Sequence, residues 1–92
     1  MVQIHLASFL QERIGGITSV EVSADTVSGA LLALTDMYPQ LVRMIWAGEQ
    51  GVASPMMAVF LNNELVEPLR LQASTVKPGD RIEVLIAVSG GD

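Results

Sequence analysis

Residues 2–6 alternate apolar and polar, putting Val2, Ile4 and Leu6 on one side and Gln3 and His5 on the other. That two-residue period predicts a strand with one buried face. The alternation returns in residues 19–24, with the pair Gly15–Gly16 between the two stretches as a turn signal. The chain is therefore expected to open with a hairpin. From residue 27 the period lengthens: Val27, Ala30, Leu31, Leu34 and Tyr38 recur at steps of three and four, the stripe of a helix with one buried side. Asp25 or Thr26 supplies the N-cap oxygen. Gly29 weakens this helix slightly and is expected to let it pack closely on a sheet. Pro39 ends it or opens a second short helix across Leu41, Met44 and Ile45.

Residues 47–55 read as a surface loop by composition. Residues 56–64 read as a strand running into a turn at Asn62 and Asn63, since Asn tolerates left-handed backbone angles. Residues 65–71 hold Pro68, which suits an edge strand better than a central one. Lys77, Pro78, Gly79 and Asp80 form a tight turn with the positive φ of a type II turn at the glycine. Residues 81–88 are the last strand. Strands on both sides of one long helix predict an α+β domain, a mixed sheet with one main helix packed on one face. Residues 1–88 are assigned to that domain and residues 89–92 to a flexible tail.

Parity in the last strand changes this picture. Ile82, Val84, Ile86 and Val88 share one face, while Arg81, Glu83, Leu85 and Ala87 share the other. Arginine and glutamate are rarely buried unpaired, so their face meets water. Leu85 and Ala87 are then exposed beside the tail, and the stripe turns from charged to apolar as the tail begins. A partner docking there is expected to use Leu85, Ala87 and Phe60, although residues 56–61 are apolar on both faces and their outward parity is open.

Composition narrows the function. The 92 residues are 50% hydrophobic and 16% charged, with a net charge of −5 and no cysteine. Five scattered basic residues argue against a nucleic-acid partner, and an acidic chain suits a basic groove on another protein. Without cysteine there is no disulfide, thiolate metal site or cysteine nucleophile. No uninterrupted apolar run reaches membrane length and no leader opens the chain, which predicts a cytoplasmic protein. His5 is the sole histidine, without partners placed by spacing, and no phosphate-cradling glycine loop or nucleophile motif occurs. Neither catalytic residues, nor a metal site, nor a bound cofactor are expected; the chain reads as no enzyme.

What remains is the ending, Ser89–Gly90–Gly91–Asp92. A tail without Cβ atoms passes through a narrow channel that would reject a side chain. Its unhindered carboxylate can attack an activated phosphate, with catalysis supplied by positioning inside a partner. The sequences VFLNNELV and VKPGDRIEVLIAVSGG resemble the ubiquitin-like sulfur carriers, which include the small subunit of molybdopterin synthase and the carriers of thiamine and cysteine biosynthesis. The likeness spans nearly the whole chain and implies a β-grasp fold. It also implies that an adenylating partner related to ubiquitin-activating enzymes uses ATP on the carboxylate of Gly91. The resulting thiocarboxylate then donates sulfide to a biosynthetic enzyme. Asp92 departs from the pattern, since it leaves Gly91 with only an unreactive amide. Family members with such extensions are matured by a JAMM-type zinc peptidase, so cleavage of the Gly91–Asp92 bond is expected to switch the protein on. Two alternatives stay open: a protein modifier joined to lysine through Gly91, and a β-grasp interaction subunit with an inert tail. The length of the loop at 47–55 leans toward cysteine biosynthesis or a specialised pathway.

Overall fold

A computed structural model describes residues 1–48 and 51–86. The elements are β1 (Val2–Leu6), α1 (Ser8–Gln11), β2 (Ser19–Val22), α2 (Val27–Met37), α3 (Val42–Ile45), β3 (Met57–Leu61), β4 (Glu64–Val66) and β5 (Arg81–Ile86), with short 3-10 turns at Glu12–Ile14, Pro39–Leu41 and Pro68–Arg70. The five strands form one sheet in the order β2-β1-β5-β3-β4. β1 and β5 run parallel, whereas β1/β2, β3/β5 and β3/β4 are antiparallel. This is the mixed sheet expected of a β-grasp, and β4 is the edge strand that Pro68 foretold.

Alternation in the strands became burial on one face. Val2, Ile4, Leu6, Val20, Val22, Met57, Val59, Ile82 and Val84 are buried together with Val27, Ala30, Leu31 and Leu34 of α2 in a single cluster. The helix begins as its sequence implied: Thr26 is the N-cap, and its Oγ1 accepts from the Gly29 amide at 2.9 Å. The other free amides of that first turn are also satisfied, Val27 N donating to Ser74 O at 2.9 Å and Ser28 N to Leu71 O at 3.0 Å. The segment between β4 and β5 therefore closes the helix end.

Three local expectations are corrected. Gly29 does not serve contact with the sheet: a Cβ there would meet Thr26 Oγ1 at 3.2 Å, so the glycine makes room for the cap. The opening hairpin is wide, because α1 and a 3-10 turn fill the connection before Gly15 ends them at φ 75°. Four-residue helices carry too little periodicity to register in a pattern search. The segment 47–55 is not wholly surface, since Trp46 bridges Ala53 and Ser54 is buried. Pro39 opens a 3-10 turn that runs into α3, one of its two expected roles. No helix among the described residues is long and apolar enough to cross a membrane.

Candidate functional site: the outer sheet face at the end of β5

β5 lies between β1 and β3, so its direction fixes where the chain continues after Ile86. Its inward residues Ile82 and Val84 are fully buried, and Arg81 and Leu85 are exposed with Glu83 half-buried, as parity required. Strand register extends this outward face sideways. His5, Glu83, Phe60 and Leu65 occupy one row across four strands, and Leu85 stands opposite Ala58 in another. Leu85 is 44% exposed and Leu65 61%, with Phe60 and Ala58 half-buried beside them. Phe60 and Leu85 are thus brought to one surface, which settles the parity of residues 56–61 that the sequence left open. Ala87, Ser89, Gly90, Gly91 and Asp92 lie outside the described residues.

Burial of Met57 and Val59 settles the parity of β3, which five apolar residues in succession had concealed. With that fixed, Ala58 and Leu65 join the face, neither of them singled out from sequence. The outward position of Leu65 follows from its pairing with Phe60 and was legible only once β3 and β4 were known to form a hairpin. The polar half of the face is internally paired. Arg81 Nη2 meets Glu83 Oε2 at 3.1 Å, and His5 Nε2 lies 3.2 Å from Gln3 Oε1. Charge is spent toward the start of β5, leaving apolar surface toward its end.

A network at the opposite end anchors the strand. Asn62 and Asn63 take φ of 50° and 74°, which turns β3 tightly into β4. Asn62 N donates to Arg81 O at 2.8 Å and Asn62 Oδ1 accepts from Arg81 N at 3.0 Å. One asparagine thereby supplies both bonds of a ladder position. Asn62 Nδ2 also donates to Asp80 Oδ1 at 3.2 Å, while Asp80 Oδ2 accepts from Lys77 N at 3.0 Å. The bond from the Lys77 amide, aided by Asn62 and the Lys77 charge, holds the Asp80 carboxyl below its ordinary range against the opposing effect of burial.

Among the described residues no group of three or more histidines, cysteines or carboxylates could hold a metal ion. A cavity of about 530 Å³ is lined by Val42, Arg43, Trp46 and Ser54 on α3 and the following loop, with Arg43 as its one charged side chain among the described residues.

Comparison with known proteins agrees with this geometry. Residues 4–91 match the ThiS family. A search of curated proteins found no significant relative. Small archaeal modifier protein 1 from Methanosarcina acetivorans is 27% identical, with 98% of this chain and 95% of that one covered at a TM-score of 0.82. CysO from Mycobacterium tuberculosis is 25% identical over 96% of this chain and 100% of its own, with a TM-score of 0.79. The CysO complex with BexX from Amycolatopsis orientalis matches at 24% identity and a TM-score of 0.79, covering 99% of this chain and 100% of that one. That last likeness concerns the fold.

Proposed function

The chain belongs to the ThiS family, and from that premise we propose that it is a sulfur carrier whose working group is the carboxylate of Gly91. The family match runs to Gly91 and stops one residue short of Asp92, and this observation carries the reading. Removal of Asp92, by a JAMM-type zinc peptidase, exposes the glycine carboxylate. A ubiquitin-activating-type enzyme then uses ATP to form the acyl adenylate. Sulfide displaces AMP, and the thiocarboxylate passes its sulfur to a biosynthetic enzyme, with cysteine biosynthesis as the pathway class favoured by similarity to CysO. This chain supplies no catalytic group; it supplies a rigid body, a docking face at Leu85, Phe60 and Ala87, and the tail residues Ser89 and Gly90.

The test compares the 92-residue chain with a form ending at Gly91, each incubated with the activating enzyme, ATP and a sulfur donor. Only the shorter form is expected to exchange one carboxylate oxygen for sulfur by intact mass. Equal turnover of both forms would refute the role of Asp92, and no turnover of either would refute the carrier reading.

Similarity to small archaeal modifier protein 1 favours a second reading, in which Gly91 ends in an amide bond to lysine. Adducts of higher mass recovered from cells, in place of the sulfur exchange, would favour it.

A further inference from the structure

Topology separates the lysine of this chain from the far end of β5. Lys77 is the single lysine in the sequence; the four other basic residues are arginines, whose guanidinium groups stay protonated and do not take acyl groups. Lys77 stands exposed on the turn that precedes β5. Gly79 N donates to Met1 O at 3.0 Å, which sets this turn beside the start of β1. Because β1 and β5 are parallel, the lysine lies at the end where both strands begin and Ile86 lies at the other. The six residues of β5 put about 20 Å between them.

The turn is also held still. Asp80 Oδ2 accepts from Lys77 N, Asp80 N donates to Lys77 O at 3.0 Å, and Asn62 holds Asp80 from the far side. The main chain under Lys77 is fixed while its side chain is free to solvent, which is how an acceptor amine is presented to an incoming acyl group.

We propose that Lys77 is an acceptor site for the activated Gly91 acyl group of a second copy of this chain, so that copies join head to tail. The inference rests on the reading that Gly91 is activated. In the step, the lone pair of the deprotonated Lys77 amine attacks the Gly91 carbonyl carbon of the acyl adenylate. A C–N bond forms, the C–O bond to phosphate breaks, AMP departs with the electron pair, and the amine proton goes to solvent. One lysine permits one such side-chain bond per acceptor.

The experiment adds isotope-labelled chain ending at Gly91, with ATP, to an extract of the source cells, which supplies the activating and transfer enzymes. Intact mass and peptide mapping follow the labelled chain, with Lys77→Arg in parallel. The expected result is a ladder of multiples of the chain, each link one water lighter, with a Gly91–Lys77 peptide in the digest. Lys77→Arg is expected to lose the ladder while its monomer still exchanges oxygen for sulfur at the terminus. A ladder that persists in Lys77→Arg, or sulfur exchange on wild-type chain without any ladder, overturns the acceptor site and leaves the carrier reading standing. Absence of both ladder and sulfur exchange overturns the two together.

Discussion

Asp80 shows how one carboxylate ties the turn before β5 to the turn after β3. It takes the Lys77 amide and the Asn62 side chain, and both bonds favour its ionised form. Its folded pKa is lowered, so its contribution to stability is complete above the unfolded value of about 4 and fades as pH falls through the lower folded value. Asp80→Asn is expected to be less stable than wild type at pH 7, with the difference shrinking as the pH is taken below about 4. Denaturant melts at several pH values would show it, and a difference constant with pH would contradict it. Thr35 is a second test at this scale. Trp46 Nε1 donates to Thr35 Oγ1 at 3.1 Å in a buried setting. Thr35→Val leaves that donor unpaired and should cost about 1–3 kcal/mol, read from the unfolding of the single tryptophan by fluorescence.

Among elements, α2 and β3 illustrate what a pattern of residue types can and cannot convey. Of the expected stripe Val27, Ala30, Leu31, Leu34 and Tyr38, the first four repeat the helical period and are buried, whereas Tyr38 is half-buried as the C-cap beyond the last turn. The cap was narrowed to two residues and the structure assigns it to Thr26. Thr26→Ala should cost about 1 kcal/mol and Thr26→Ser much less, since only the hydroxyl oxygen is used. The outward face of the sheet was half legible. Arg81 and Glu83 reveal the outward side of β5, whereas Met57–Leu61 has no polar residue to reveal its own. The burial of Met57 and Val59 and the pairing with β5 together show that Ala58 and Phe60 face outward beside Leu85. The helix α1 was missed because four residues complete barely one turn. Leu85→Asp, on an exposed strand position, should change stability by less than about 0.5 kcal/mol. It should raise the KM of the activating enzyme for this chain at least tenfold while leaving kcat near its original value, and an unchanged KM would remove Leu85 from the interface.

For the molecule as a whole, one core and one charge balance matter. Ile82 is fully buried on the central strand within the single core cluster. Ile82→Ala should cost about 2–5 kcal/mol, a large share of the roughly 5–15 kcal/mol that holds such a domain folded. Calorimetry should still show one transition, at a lower temperature. The net charge of −5 leads to a further expectation: association with a basic partner groove should slow as salt rises, because screening weakens steering more than contact.

The central position of β5 has a mechanical consequence. A partner that draws in the end of the chain pulls along the axis of a strand hydrogen-bonded on both flanks, to β1 and to β3. Load applied that way falls on all the ladder bonds together, in shear, whereas an edge strand peels away one bond at a time. The domain is thus built to resist tension applied along β5 from its Ile86 end.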